Sequence, residues 1–212
     1  MAFQNHPLEA LKKFIPTHSF NDVVYFIESY NVHLKITRER KTIYGNYRPA
    51  MYGKQHTITI NGNLNPYHFL ITLLHELAHL INFLNHGQKV KPHGTEWKTV
   101  FNTLLIRFIN NQIFPSDIAS ALASSIQKQK SSSCFNPDLF EVLYQYNTNT
   151  EGFVLLKTLS IGDTFANEKN ETFTILEKRR SKFLCKKNNN NIKYLFPIVF
   201  EVKKITPQKI EG

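Results

Sequence analysis

Apolar and polar positions change rhythm three times along this chain, and each change marks a different kind of structure. Near the start, Pro7 to Ile15 reads as helical, and Ser19 to Tyr30 carries one apolar face through Val23, Val24 and Ile27, with Ser19 placed to cap it. The period then drops to two over Val32 to Thr37 and again over His56 to Ile60, which predicts two strands. Between them lie a basic turn, Arg38 to Lys41, and the turn-like Tyr44-Gly45-Asn46-Tyr47-Arg48-Pro49. Asn65-Pro66 then opens a long helix expected to run to about Asn85, with Gly87 as its terminator. Trp97, Val100, Phe101, Leu104, Leu105, Phe108 and Ile109 follow the spacing of one buried helical face, and Ser116 to Gln127 predicts a shorter helix.

Lys128 to Ser133 is polar and serine-rich and reads as a linker, after which Asn136-Pro137 starts a further helix through Tyr146. From Phe153 onward the runs are short and β-like: Phe153–Leu156, Thr172–Leu176, Lys182–Lys186, Ile192–Phe196 and Phe200–Ile205, with Asn188–Asn191 as a hairpin tip. That density of strands predicts a small β-barrel or curled sheet. The expected organisation is an α+β domain over residues 1–127, a linker with a short helix over 128–150, and a β-rich basic module over 151–212.

The long helix is where chemistry enters. Phe69, Leu70, Ile71, Leu73, Leu74, Leu77, Leu80, Ile81 and Phe83 make it apolar almost all round, so it is a buried helix. Inside it stands a polar stripe, Thr72, His75, Glu76, His79 and Asn82, which is costly to bury unless something satisfies it. His75-Glu76-Leu77-Ala78-His79 is the His-Glu-x-x-His pattern: two imidazoles four residues apart share a helix face and can reach one metal ion, with a carboxylate beside it. The alternative is a hydrogen-bonded polar seam between helices. Catalytic zinc takes a third protein ligand and leaves a position for water. His86, on the same helix, lies too far along the axis. His93, followed by Gly94 directly before the Trp97 helix, is favoured, with Glu96 as the alternative. In that reading Zn2+ activates a water, Glu76 is the general base and peptide hydrolysis is the reaction. Tyr44, Tyr47 and Arg48 are either candidate oxyanion donors or a basic aromatic turn with no catalytic part, and the strand His56–Ile60 is either an interior strand or an edge able to pair with an extended protein substrate.

At 212 residues, with 42% hydrophobic and 20% charged side chains, the chain is of ordinary globular composition. It shows no membrane-length apolar run and no secretory signal at its start, so the expected location is the cytoplasm. Cys134 and Cys185 form no Cys-x-x-Cys pair, which excludes a four-thiolate zinc ribbon within the chain, and a disulfide between them is not expected in a reducing compartment. The net charge of +10 favours a polyanionic partner, and the densest basic run, Lys178 to Lys187 with Phe183 between charges, is either a nucleic-acid surface with some base stacking or a solvated β-hairpin face.

These residues carry a family resemblance. Tyr44-Gly45-Asn46-Tyr47-Arg48-Pro49, the alternating strand to Ile60, Leu64-Asn65, the His75–His79 motif and His93-Gly94-Thr95-Glu96-Trp97-Lys98 together resemble the SprT-like metallopeptidases, to which the Spartan repair protease belongs; the likeness covers about residues 5–110. It implies a zincin-type α/β architecture of helices packed on a small sheet, zinc held by His75, His79 and His93, and proteolysis coupled to DNA, of the kind that removes proteins crosslinked to it. One departure matters: many members carry a cysteine-rich zinc ribbon after the protease domain, and here the β-rich segment with Cys185 takes its place. The rival reading is a nucleic-acid-binding or regulatory protein that keeps zinc for structure and cleaves little. Glu76 separates the two, because a structural site needs no general base.

Overall fold

A computed structural model describes residues 7–40, 43–51, 53–128, 137–148 and 150–205. The chain divides into two units, Met1–Asn147 and Thr148–Gly212. Among the described residues no helix is long and apolar enough to cross a membrane.

The first unit holds α1 (Phe20–Ser29), β1 (Val32–Thr37), β2 (Gly45–Arg48), β3 (His56–Asn61), α2 (Pro66–His86), α3 (Thr95–Asn110), α4 (Ser116–Gln127) and α5 (Pro137–Tyr144). Two expectations change at its start. The opening segment forms a short 3-10 helix, Glu9–Lys13, not a full helix, and the Ser19 hydroxyl donates back to the Pro16 carbonyl at 2.7 Å instead of capping α1. The sheet order is β1-β3-β2, with β1 parallel and β2 antiparallel to β3. The strand from His56 is therefore interior, hydrogen-bonded on both sides, which removes it as an edge for substrate addition. Gly45–Arg48, read as part of a turn, is instead the edge strand beside α2.

α2 starts as its sequence prescribes: Asn65 Oδ1 accepts from the His68 amide at 2.9 Å, Pro66 fills the first helical position, and Gly87 ends the helix at φ 62°. Its apolar residues from Phe69 to Leu80 are fully buried, against β2 and β3 on one side and α3 on another. The Asn65 amide group also donates to the Leu143 carbonyl at 2.8 Å and to Asn147 at 2.7 Å, so one residue caps α2 and ties down the end of α5. α5 is thus part of this unit. The linker read over Lys128 to Ser133 lies, apart from Lys128, outside the described residues, and so does Cys134.

The second unit is a curled, wholly antiparallel six-stranded sheet. Its strands, β4 (Val154–Leu155), β5 (Thr164–Ala166), β6 (Thr172–Lys178), β7 (Lys182–Lys187), β8 (Lys193–Pro197) and β9 (Glu201–Ile205), run in the order β4-β9-β5-β6-β7-β8. Leu156, Phe165, Phe173, Ile175, Phe183, Cys185 and Val202 form its core. Alternation along β7 sends Phe183 and Cys185 inward and leaves Lys182 and Lys186 on the other face. Phe183 is 2% exposed, so the stacking role read for it from the basic run is wrong: it is a core residue. Burial also pushes the Cys185 thiol up to about 11, which keeps it protonated and unreactive. The molecule is therefore of α+β class, with a mixed-sheet unit and a purely antiparallel one.

Candidate metal centre

The helical period places His75 and His79 one turn apart on α2, and a turn after Gly87 returns the chain so that His93 meets them just before α3. The three Nε2 atoms form a triangle with sides of 3.2 Å (His75–His79), 3.0 Å (His79–His93) and 3.1 Å (His75–His93). Three ring nitrogens facing one another this closely cannot all be satisfied by hydrogen bonds among themselves, because each bond uses one proton and one lone pair. A cation at their centre satisfies all three. Nitrogens bound tetrahedrally at about 2.0–2.1 Å stand about 3.3 Å apart, so the triangle fits a first-row metal ion.

Electrostatics favours the same state. Burial holds His75 down to about 3, with the charges of His79 and His93 adding to it; burial and His93 hold His79 down to about 4; burial lowers His93 as well. All three imidazoles are therefore neutral near pH 7, with lone pairs to offer. His75 and His79 are half-buried and His93 is exposed, so the cluster is closed on the protein side and open to solvent on the other.

Trp97 forms the floor. It is fully buried, and its ring centroid lies 4.6 Å from that of His75, 5.1 Å from His79 and 4.7 Å from His93, with Phe101 stacked on it at 4.9 Å. His93 sits at φ 59°, a left-handed conformation that costs a non-glycine residue about 1–2 kcal/mol. The Gly94 amide closes this turn onto the Lys91 carbonyl at 3.0 Å, and an added Cβ on Gly94 would lie 2.9 Å from that same oxygen. The backbone strain and the glycine together aim the His93 ring.

Glu76 follows His75 on α2 and is 6% exposed. Burial raises its pKa to about 7; a hydrogen bond from the Tyr47 main-chain N–H and the charge of Arg40 pull the other way. It is thus a carboxylate that exchanges a proton near neutrality.

The remaining sequence candidates go elsewhere. His86 is exposed at the far end of α2 and Glu96 is exposed in the first turn of α3; neither belongs to the histidine cluster. The Tyr47 hydroxyl lies 2.9 Å from His56 Nδ1, which also accepts the Ala50 amide at 3.1 Å, so the phenol is the donor to His56 and is turned away from oxyanion duty. The Tyr44 ring packs edge-on against His68 at 4.5 Å, and Arg48 is exposed on β2.

Sequence reading missed Arg40 and Asn61. The side chain of Asn61, 1% exposed, donates to the carbonyls of Arg40 at 3.0 Å and Ile43 at 3.1 Å, and its Oδ1 accepts from Arg40 Nε at 2.8 Å. A charge inside a basic turn and an asparagine before a glycine both look like solvent-facing turn chemistry, and no local pattern distinguishes them from it.

Residues 15–113, which span α1 to α3 with the whole first sheet, match the model of the SprT-like family. No curated protein and no solved structure matches the chain.

Proposed function

We propose that this chain, SprT-like in family over residues 15–113, is a zinc-dependent endopeptidase with His75, His79 and His93 as metal ligands and Glu76 as general base. The observation that carries the reading is the convergence of three neutral Nε2 atoms, open to solvent on one side, with a near-neutral buried carboxylate on the adjacent helix position. The finer description of the first unit as zincin-like belongs to the same proposal; it is supported by a His-Glu-x-x-His helix packed on a small mixed sheet.

A zinc ion bound there supplies Lewis-acid chemistry, lowering the pKa of a water and polarising a peptide carbonyl. The protein does the rest. Trp97 and the strained His93 turn hold the ligand geometry before any ion arrives. Glu76, balanced near neutrality, accepts the proton of the attacking water and returns it to the departing amine nitrogen. Its burial keeps bulk water from competing for that proton.

The substrate in this reading is a protein associated with DNA, in the cytoplasm. Support for the DNA partner comes from the net charge of +10 and from Lys178, Lys182 and Lys193, which stand exposed on β6, β7 and β8 of the second unit. Cleavage of a basic protein by the zinc-loaded chain, with and without single-stranded DNA and alongside Glu76→Gln, tests the proposal. Activity that rises with DNA and falls by about 10²-fold or more in the variant is expected. DNA binding with no Glu76-dependent cleavage would replace it with the reading of a binding protein that keeps zinc for structure.

A further inference from the structure

The edge strand β2 has no assigned task, yet it lies against the one side chain that the proposed chemistry needs in a fixed place. Gly45 opens the strand, and its backbone is outside the left-handed region that favours glycine. Space, not conformation, demands a glycine here. A Cβ at this position would stand 2.7 Å from Thr72 Cγ2, 2.8 Å from Glu76 Oε1 and 2.9 Å from Glu76 Cγ, distances that real Cβ atoms essentially never show. Neither neighbour retreats freely: Thr72 and Glu76 are 2% and 6% exposed, and Leu73, Leu74, Leu77 and Leu80 beside them on the helix are fully buried. Two residues along β2, the Tyr47 main-chain N–H acts on the Glu76 carboxylate and favours its charged form. The strand therefore acts on Glu76 at two points, by close packing at Gly45 and through the Tyr47 amide.

β2 is itself anchored at that end. Its pairing with β3 sets Gly45 opposite Ile60 and Tyr47 opposite Ile58. The Tyr44 carbonyl, just ahead of Gly45, accepts from the Asn61 amide at 2.9 Å and from Arg40 Nη2 at 3.4 Å. Arg40 also reaches Thr59 Oγ1 at 3.0 Å, and Asn61 holds the carbonyls on either side of the turn. A guanidinium and a buried amide thus hold the chain at the point where it passes over Glu76.

We infer that β2 is a positioning element for Glu76: Gly45 lets the strand close onto the carboxylate, the Tyr47 amide orients it, and Arg40 with Asn61 fixes the strand in register. None of the four touches the reacting atoms in this arrangement; each acts through Glu76. The inference rests on the general-base reading for its catalytic consequence, but the contact itself can be tested without catalysis.

The experiment compares wild type, Gly45→Ala, Thr72→Ser and the double variant Gly45→Ala/Thr72→Ser, with Glu76→Gln as reference. Thr72→Ser removes the Cγ2 that an added methyl would strike first, and leaves the collision with Glu76. Zinc stoichiometry and the circular-dichroism melt report the fold and the metal site, and the amide proton shift of Tyr47 in a 15N-labelled sample reports its bond to the carboxylate. Gly45→Ala/Thr72→Ser is expected to keep full zinc stoichiometry, to shift the Tyr47 amide in the direction seen in Glu76→Gln, and to lose kcat by about 10²-fold with KM within about threefold of wild type, the usual scale for a catalytic group displaced by about 1 Å. Recovery of kcat to the Thr72→Ser level in the double variant would overturn the inference, since crowding at Thr72 would then be the only role of Gly45. Loss of zinc in step with kcat would overturn it too, by making Gly45 a determinant of the metal site. Should wild type itself show no Glu76-dependent cleavage, the general-base reading fails separately; the Tyr47 shift then still decides the contact, and an amide unmoved in Glu76→Gln sinks it.

Discussion

His68 offers a direct way to read the energetics of the polar stripe on α2. It is 5% exposed, its ring is boxed by Tyr44 at 4.5 Å and Phe140 at 6.0 Å, and its Nε2 has no hydrogen-bond partner among the described residues. Burial accordingly lowers its pKa from 6.5 to about 4. Between those two values the unfolded chain binds a proton that the folded chain refuses, so protonation favours unfolding. Stability is whole above the upper value, declines as pH falls, and the loss is complete below the lower one. Worked through at about 1.4 kcal/mol per pKa unit, lowering the pH from 7 to 5 removes about 2 kcal/mol through this residue alone, and the full loss is about 3 kcal/mol. The assay is urea unfolding of the chelator-treated protein at both pH values. It is followed by fluorescence of Trp97, the chain's single tryptophan, which reports the first unit by itself. The comparison is with His68→Leu, which keeps an apolar side chain in the same box and cannot titrate. His75, His79 and His93 also lose stability on acidification, but equally in both proteins, so they cancel in the difference. Wild type is expected to lose about 2 kcal/mol more than the variant, roughly a 1 M larger drop in urea midpoint. Equal losses in the two proteins would refute the claim that His68 is held neutral by burial.

His79→Ala should abolish tight metal binding while leaving the helix intact, since it removes one corner of the Nε2 triangle; unchanged zinc stoichiometry in that variant would remove the cluster as the metal site. Trp97→Ala, which empties a fully buried volume beneath all three histidines, should lower the unfolding free energy by about 3–5 kcal/mol by circular dichroism and weaken metal binding with it. A loss under 1 kcal/mol would mean that the floor collapses and refills without it.

How much of this was legible beforehand follows from the range of each interaction. Local periodicity carried the secondary structure: β1, β3, α2, α3 and α4 lie where alternation or the helical repeat puts them, because those patterns depend on residues two to four apart. The same argument put His75 and His79 on one face and made Glu76 their neighbour. Two local readings failed where local geometry admits more than one partner. Ser19 had a nearer acceptor in Pro16, and Gly45–Arg48 became a strand only because β3 was there to pair with it.

The basic run shows the limit most plainly. Phe183 among lysines looked exposed, but strand alternation makes its neighbours' charge irrelevant to its own direction, and the second core needed it inside. By itself, then, the sequence determined the helices after the opening segment, most of the strands, the histidine pair and the acid beside it, all consequences of spacing along one chain. Only the tertiary structure decided which strand is interior, that His93, favoured beforehand over Glu96, meets the pair in a triangle over Trp97, and that Gly45, Arg40 and Asn61 bring a strand onto Glu76. Those are meetings of residues far apart in sequence. They depend on how close two packed elements come, a distance set by the absence of a side chain at one glycine and by one buried amide, which no periodicity records.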